Sequence, residues 1–378
     1  MASVGVATSH HLYPPFPTDI TTAPLVAVSL SKLESGDQAE SQAFYDASKN
    51  LGFFYLKLEG SSLGESVVQG AEQLHQVQLE FFKRPQSEKE EYAREKIDPF
   101  FGYRKAELKF KDEDGTPKKN ETYNVSYPIT LIACTNELSQ MRKDDFMGNA
   151  DPLPCHPLAT KNWDVLKQYV VDCRAAIDLM LSHLEKHLQL PKGTLAQLHR
   201  ITALSGDHVR FNQAAIQPWS DDNARAAEHT DFGTLTILMN WLGGLQIKHP
   251  ETQAWVYVKP MPGFAIVNLG DALVKLTAGI LRSNIHRVVP PAPPQDGLTR
   301  NSLVYFSRPE DAVVLRRMKG DLIDQQPLSQ KDEEPEMTAQ EWTLRRSVGD
   351  LKGVYTHKGG LELRQGQMVD VKQTGLIA

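Results

Sequence analysis

The chain has 378 residues, of which 40% are hydrophobic and 23% are charged, and its formal net charge is −6 at pH 7. This composition is ordinary for a globular protein, and a modest charge without a Lys/Arg-rich run argues against a nucleic-acid partner. The sequence has no run of eighteen apolar residues and no basic start followed by an apolar stretch. We therefore expect no membrane partner and a cytoplasmic protein that acts on small molecules. Cys134, Cys155 and Cys173 lack metal-ligand spacing and fit reduced thiols.

The N-terminal third predicts an arm followed by an α/β region. Residues 1–23 are rich in Pro, Thr and Ser, which is typical of a flexible arm. Residues 24–128 are expected to form a cap, with strands at 25–30 and 52–56 and helices at 38–50 and 63–82. The second helix should end before Arg84-Pro85, because proline disfavours the helical state of the residue that precedes it.

The rest of the chain predicts a mainly β core, residues 129–335, and a C-terminal helix and tail, residues 336–378. Apolar residues recur at helical spacing from Trp163 to Leu188, which predicts a long amphipathic helix behind the core. Short apolar runs separated by turns predict strands at 208–213, 234–239, 245–248, 255–259, 264–268, 285–289 and 302–306. This pattern favours a double-stranded β-helix, or jelly-roll barrel, with flanking helices, an N-terminal α/β cap and a site in the barrel mouth. Thr338-Ala-Gln-Glu341 is a capping box for the last helix.

Three residues form the candidate metal site. Because side chains alternate along an extended segment, His229 and Asp231 should point the same way, and a later strand could add His286. Two imidazoles and one carboxylate are the ligands expected for non-heme iron(II), since they leave three adjacent positions open. The HxD pattern alone occurs by chance in many chains. A zinc hydrolase also uses two histidines and a carboxylate, but the sequence has no HExxH motif.

Arg300 and Ser302 follow at positions i and i+2 of another predicted strand, where a guanidinium and a hydroxyl could hold a carboxylate. The order HxD, HRV and RxS resembles the iron(II)/2-oxoglutarate dioxygenases, in the branch that includes isopenicillin N synthase, plant flavonoid and gibberellin oxidases and many fungal oxygenases of secondary metabolism. The segments PLVAVSL, GFFYL and FFKRP resemble the N-terminal cap of that branch. The resemblance covers about residues 24–310.

The resemblance implies an enzyme that uses iron(II), 2-oxoglutarate and O2, with ascorbate as a supporting reductant, and releases succinate and CO2. Its substrate would be a small apolar or aromatic metabolite that is hydroxylated, desaturated or cyclised. His229, Asp231 and His286 would be the catalytic metal ligands, and Arg300, Ser302 and Asn212 would bind 2-oxoglutarate. The candidate substrate wall consists of Tyr103, Phe110, Tyr123, Val125, Phe232, Trp241 and Phe306, although aromatic core residues have the same appearance in a sequence.

One departure from the family concerns co-substrate binding. Plant members often carry Asn-Tyr-Tyr-Pro before HxD, and the second tyrosine helps to hold the co-substrate carboxylate, but the matching segment here is Asn212-Gln213-Ala214-Ala215. The missing tyrosine keeps open an isopenicillin N synthase-type oxidase that does not use 2-oxoglutarate. Two further alternatives also stay open: a pyrimidine hydroxylase, and a non-catalytic binding protein that kept the barrel.

Overall fold

A computed structural model describes residues 8–93, 102–104, 121–125, 141–216, 219, 226–328 and 336–351. Phe110, Cys134 and the predicted tail beyond residue 351 lie outside these residues. The described helices are α1 (Leu30–Glu34), α2 (Gln38–Asn50), α3 (Ser62–Phe82), α4 (Gln86–Glu91), α5 (Lys143–Met147), α6 (Pro157–Lys161), α7 (Trp163–His187), α8 (Asp271–Leu276), α9 (Asp321–Asp324) and α10 (Ala339–Leu351). Short 3-10 turns occupy Ser9–Leu12 and Ala196–Leu198.

The described strands are β1 (Ala27–Ser29), β2 (Phe53–Lys57), β3 (Gly102–Arg104), β4 (Glu121–Val125), β5 (Met141–Arg142), β6 (His208–Ala214), β7 (Ala226–His229), β8 (Leu235–Asn240), β9 (Leu245–Lys248), β10 (Trp255–Tyr257), β11 (Phe264–Leu269), β12 (His286–Val288), β13 (Arg300–Phe306), β14 (Val314–Leu315) and β15 (Met337–Thr338). The first strand is shorter than predicted. Ser29 ends it, because its hydroxyl accepts a hydrogen bond from the Lys32 amide and caps α1.

Two sheets form the barrel. The larger has the order β1-β2-β11-β8-β13-β6-β4-β3, with β5 also paired to β6, and the smaller has the order β10-β9-β12-β7. One buried apolar cluster joins them, since Phe53 and Ile266 of the larger sheet pack with Leu245, Ile247 and Val256 of the smaller. The two sheets therefore enclose an interior between them, as the predicted jelly roll requires.

Alternation along β6 and β13 separates the two faces of the larger sheet. Phe211, Leu303 and Tyr305 belong to the main core cluster, which also contains the apolar faces of α3 and α7. The intervening residues of these strands face the other way, into the barrel. Burial of the apolar stripe of α7 therefore fixes which side chains of β6 and β13 are available to a site.

The described part of the N-terminal arm packs against the folded chain, although the sequence predicts a flexible arm. The Ser9 hydroxyl and amide donate to Glu72 of α3 at 2.5 and 3.0 Å, and the Tyr13 hydroxyl lies 2.9 Å from Nε2 of His75. Gln295 donates to the Pro14 carbonyl at 2.8 Å. A composition rich in Pro and Thr does not reveal these contacts, because their partners lie 62 to 281 residues away.

The C-terminal helix is capped as predicted. The Thr338 amide donates to Oε2 of Glu341 at 2.8 Å, and the Glu341 amide donates to the Thr338 hydroxyl at 3.2 Å. α10 packs Trp342 against Ala272 and Leu276 of α8. Within the described residues, no helix is both long and apolar enough to cross a membrane.

Candidate active site

The metal-ligand candidates meet between two neighbouring strands of the smaller sheet. His229, at the end of β7, lies opposite His286, at the start of β12, and their ring centroids are 4.3 Å apart. Oδ1 of Asp231 lies 3.9 Å from Nε2 of His229 and 3.8 Å from Nε2 of His286. One potential ligand atom from each residue lies within 4.8 Å of the other two. The structure thus brings together the HxD pair and a histidine from a strand far along the chain.

Two neutral donors orient the carboxylate of Asp231. The Thr236 hydroxyl and the Asn268 amide donate to Oδ2 at 2.6 and 2.7 Å. Burial alone would raise the pKa of Asp231, but His286, His229 and these two hydrogen bonds hold that pKa below its usual range. Oδ2 is engaged by the protein, so Oδ1 is the oxygen that remains for a metal.

The two imidazoles differ in their surroundings. Nδ1 of His286 lies 3.2 Å from the Asn284 carbonyl, to which it donates in the tautomer that leaves Nε2 free to bind a metal. The side chain of His286 is 10% exposed, whereas that of His229 is 33% exposed. The centre therefore opens toward solvent on the side of His229. Two imidazoles and one carboxylate oxygen fit iron(II), since no thiolate or fourth protein ligand from the described residues completes the set.

The C-terminal helix holds the loop that carries Asp231. The Asp231 carbonyl accepts from the Asp271 amide at 2.8 Å, and the Thr230 hydroxyl donates to the Asp271 carboxylate at 2.8 Å. Arg346 of α10 donates to the same carboxylate at 2.7 Å, with both side chains buried. Sequence reasoning did not identify this role for Arg346, because the residue lies 75 positions beyond Asp271.

The three co-substrate candidates also converge inside the barrel. Ser302 of β13 lies opposite Asn212 of β6, and Arg300 lies opposite Ala214. The Ser302 hydroxyl is 3.3 Å from the Asn212 amide nitrogen and 3.4 Å from Nη1 of Arg300. Nε of Arg300 donates to the Gly243 carbonyl at 2.7 Å, so its guanidinium is fixed at one edge. All are buried or half-buried, which strengthens the attraction of Arg300 for a carboxylate.

Gln78 of α3 was not identified from the sequence, although it supports this group. Its side-chain amide donates to the main-chain carbonyls of Asn212 at 2.8 Å and Ser302 at 3.2 Å, and its side chain is fully buried. A glutamine within a helical pattern gives no signal of such a contact.

The aromatic candidates for the substrate wall separate into different groups. Tyr103 packs on Phe81, with centroids 6.2 Å apart, and donates to Gln86, and both of these partners belong to the cap. Trp241 stacks on His75 at 3.7 Å and donates to Glu72 at 2.9 Å. The contacts observed for Tyr103 and Trp241 fit the alternative interpretation, in which these residues are structural aromatics.

The remaining wall candidates are nearer to the metal ligands or are described only by their backbone. Phe232 follows Asp231 and lies under the Arg346 guanidinium, 5.0 Å from ring centroid to Cζ. Phe306 lies opposite Thr236, which donates to Asp231. Tyr123 and Val125 lie in β4, opposite Phe211 and Val209 of β6, and the structure describes no side-chain contact for them.

Arg210 was also missed, although the alternation of β6 could have identified it. His208, Arg210, Asn212 and Ala214 occupy alternate positions, so all four share the face that lines the barrel. The guanidinium carbon of Arg210 lies 4.4 Å from the centroid of the Phe306 ring. Of these four residues, the sequence motif indicates only Asn212.

Two sequence families match the chain. Residues 205–309 match the 2OG-Fe(II) oxygenase superfamily, and residues 24–144 match the N-terminal region of the non-haem dioxygenases in morphine synthesis. The first range contains all three metal-ligand candidates, together with Arg300, Ser302 and Asn212. The second contains the predicted cap.

Similar proteins extend over most of the chain. A 2-oxoglutarate-dependent dioxygenase of Aspergillus fumigatus is 29% identical over 331 residues, which cover 82% of this chain and 81% of that protein. The 2-oxoglutarate-dependent dioxygenase gloE of Glarea lozoyensis is 29% identical over 300 residues, 79% of this chain and 84% of that protein.

Solved structures share the fold. A full-length Neurospora crassa protein, in complex with alpha-KG and 5-formyluracil, has a TM-score of 0.64 and 18% identity, and covers 88% of this chain and 98% of its own. A 2OG-Fe(II) oxygenase family protein from Caulobacter crescentus has a TM-score of 0.68 and 18% identity, and covers 87% of this chain and 100% of its own. The jelly-roll prediction is confirmed. This chain therefore belongs to the iron(II)- and 2-oxoglutarate-dependent dioxygenase superfamily.

Proposed function

We propose that this oxidoreductase binds iron(II) through His229, Asp231 and His286 and oxidises a small apolar or aromatic metabolite. The observation that carries this assignment is the convergence of two imidazoles and one carboxylate within 4.8 Å. The adjacent group of Arg300, Ser302 and Asn212 supports a role in binding 2-oxoglutarate, because a buried guanidinium beside a hydroxyl suits a carboxylate.

Iron(II) and 2-oxoglutarate, when bound, supply with O2 an oxidant strong enough for an unactivated C–H bond. In overall balance, 2-oxoglutarate and O2 give succinate and CO2. A hydroxylated substrate gains one oxygen atom, whereas desaturation or ring closure removes two hydrogens, which leave in water. The protein has to bind, orient and shield these reactants.

The residues of the barrel divide these tasks. Thr236 and Asn268 engage Oδ2 of Asp231 and so present the other oxygen toward the two imidazoles. The Gly243 carbonyl holds one edge of the Arg300 guanidinium and directs the rest of that group into the interior. The greater exposure of His229 makes its side the entrance for substrate.

The absence of a tyrosine at Ala214 keeps an alternative in which the enzyme is an oxidase of the isopenicillin N synthase type. Simultaneous measurement of O2 uptake and succinate release distinguishes the two. We expect one succinate per O2 with the wild-type protein, and neither product nor uptake with His286→Ala. Oxygen uptake that continues without 2-oxoglutarate would overturn the assignment of the co-substrate.

The substrate is to be found with a metabolite screen scored by succinate release above the background without substrate. Thymine belongs in that screen, because its acceptance would establish the pyrimidine hydroxylase alternative. Apolar and aromatic metabolites form the main set. We also propose that the enzyme works in the cytoplasm, where the thiols of Cys155 and Cys173, which are free in the structure, would stay reduced.

A further inference from the structure

Arg210 occupies a position on the inner face of the barrel that the co-substrate group does not use. In the register of β6 and β13 it lies opposite Val304, one row nearer the metal ligands than Asn212 and Ser302. The next row contains Phe306 and Thr236, and Thr236 donates to Asp231. Arg210 therefore lies between the co-substrate group, which consists of Arg300, Ser302 and Asn212, and the metal ligands.

Arg210 is half-buried, and its guanidinium forms no ion pair with a carboxylate of the described residues. Its Nε has no hydrogen-bond partner there. Its Nη2 lies 3.5 Å from Nε2 of His208, whose pKa burial lowers far below its usual value, so that this imidazole is neutral. One face of the guanidinium rests on the Phe306 ring. The Arg210 guanidinium thus lies against an apolar ring, and its positive charge is not balanced by an ion pair with a described residue.

The charges near Arg210 explain its unusual state. Burial and repulsion from Arg308 lower the pKa of Arg210 to about 9, and Asp231 is the acid that opposes this shift. Asp231 is the proposed metal ligand, so its charge is shared with iron. A partly desolvated cation without a dedicated acid costs free energy, and an anionic ligand would offset that cost.

Arg308 is a matched comparison within the same barrel. It is more deeply buried than Arg210, yet its pKa is lowered only to about 10, because Asp207, Asp231 and Asp311 oppose the effect of burial. Its main-chain amide donates to Asp207 at 2.7 Å, and its side chain fills the space beside Gly206 and Gly233. Arg308 is thus surrounded by acids and packed between two backbone segments, whereas Arg210 is not.

We propose that Arg210 binds a carboxylate of the substrate, so that the enzyme oxidises a small organic acid whose apolar part lies near Phe306. This inference rests on the proposed function, because it places the acid beside the metal ligands. A guanidinium held on an aromatic face presents its edge to a carboxylate in a two-pronged contact. The contact between the carboxylate and Arg210 would hold the substrate in place, and the apolar part of the substrate would face the metal ligands, where it is oxidised.

The first test compares the thermal stability of Arg210→Met and Arg308→Met in the protein without substrate. If Arg210 serves to bind a ligand, the Met variant loses a half-buried charge that no acid compensates, and its melting temperature should rise by roughly 2 °C. Arg308→Met should have a lower melting temperature than the wild type. A decrease for Arg210→Met as large as that for Arg308→Met would assign Arg210 a structural role and overturn the proposal.

The second test uses pairs of arylalkanoic acids and their amides, such as phenylacetate with phenylacetamide and 3-phenylpropanoate with its amide. Binding is measured calorimetrically to the enzyme loaded with iron(II) and 2-oxoglutarate without O2. We expect the wild type to prefer at least one acid over its amide by about 30-fold or more, and Arg210→Met to abolish that preference. An equal response to acid and amide in every pair, undetectable binding of both included, would overturn the proposal.

The same samples separate this inference from the proposed function. Iron content and 2-oxoglutarate affinity should change by less than about threefold in Arg210→Met, because Arg300 and the three metal ligands are intact. A large loss of 2-oxoglutarate affinity would show instead that Arg210 binds the co-substrate. Failure of the wild type to bind iron or 2-oxoglutarate would overturn the proposed function itself.

Discussion

The metal end and the Arg300 end of the barrel interior are held by opposite ends of the chain. At the metal end, α10 reaches back through Arg346 to Asp271, which in turn holds the backbone that carries Asp231. At the other end, the arm contacts Gln295, whose Oε1 accepts from the Gly243 amide at 2.9 Å, and the Gly243 carbonyl accepts from Arg300. The two ends differ in their supports, so a substitution in one support should affect one ligand and leave the other unchanged.

The largest effect is expected from Asp231→Ala. Losing the only carboxylate among the three metal-ligand candidates should remove turnover and weaken iron(II) binding by more than about 100-fold, which exceeds the loss typical of residues behind the ligands. Iron content after dialysis and O2 uptake check this prediction. Asp46→Ala on the exposed face of α2 is the control. Full activity and iron content in Asp231→Ala would show that the metal lies elsewhere.

Arg300→Gln tests the opposite end. Removing one partner of a buried charge pair costs about 2 to 5 kcal/mol, which corresponds to about 30-fold to several thousand-fold weaker 2-oxoglutarate binding. Iron(II) affinity should barely change. Anaerobic titration with 2-oxoglutarate measures the effect, and the surface variant Arg84→Gln is the control. Unchanged affinity would mean that another cation binds the acid, or that 2-oxoglutarate is not the co-substrate.

Arg346→Leu should act on the metal end alone. It leaves the buried carboxylate of Asp271 without its cation, so we expect a loss of about 3 kcal/mol in the free energy of unfolding. Iron(II) binding should weaken by about 10-fold, because the backbone that positions Asp231 loses its anchor. Chemical denaturation and iron titration give the two values. Arg316→Leu, which replaces an arginine whose side chain is 67% exposed, should change neither.

If 2-oxoglutarate affinity fell in Arg346→Leu as much as iron affinity, the two ends would not be independent. The same samples therefore have to be titrated with both ligands. If the two supports are separate, Arg300→Gln should weaken only 2-oxoglutarate binding and Arg346→Leu should weaken only iron(II) binding.

The smallest effect is expected from Gln295→Ala, which removes the link between the arm and Gly243. The substitution removes the hydrogen bonds of Gln295 to Gly243 and to Pro14, of which only the first contacts the residue that holds Arg300. One hydrogen bond contributes about 0.5 to 1.5 kcal/mol, so 2-oxoglutarate binding should weaken by about 2- to 12-fold. Iron(II) affinity should stay the same. Gln42→Ala, on the exposed face of α2, is the control. An unchanged 2-oxoglutarate affinity would show that the arm packs on the barrel without supporting Arg300.

Part of the candidate site follows from local sequence patterns, whereas the pairing of His286 with His229 depends on the fold. The HxD spacing places His229 and Asp231 on one face of an extended segment, and the period of two along β13 places Arg300 and Ser302 on one face. The helical repeat of α7 and the alternation of the strands predicted which faces are buried. Each of these inferences depends on residues at most a few positions apart.

Only the tertiary structure decided the supports and the lining of the barrel interior. Gln78, Arg346 and Gln295 act on the site across 134, 75 and 52 positions respectively, and no local pattern encodes such distances. Trp241 and Tyr103 resemble wall residues in sequence, but their ring and hydrogen-bond partners belong to α3 and the cap. Arg210 and Arg308 are both arginines on or beside a buried strand, and what separates them is the set of charges that folding places around each one. Long-range electrostatics and packing depend on which segments come into contact in the folded protein. Those contacts cannot be deduced from a local sequence pattern.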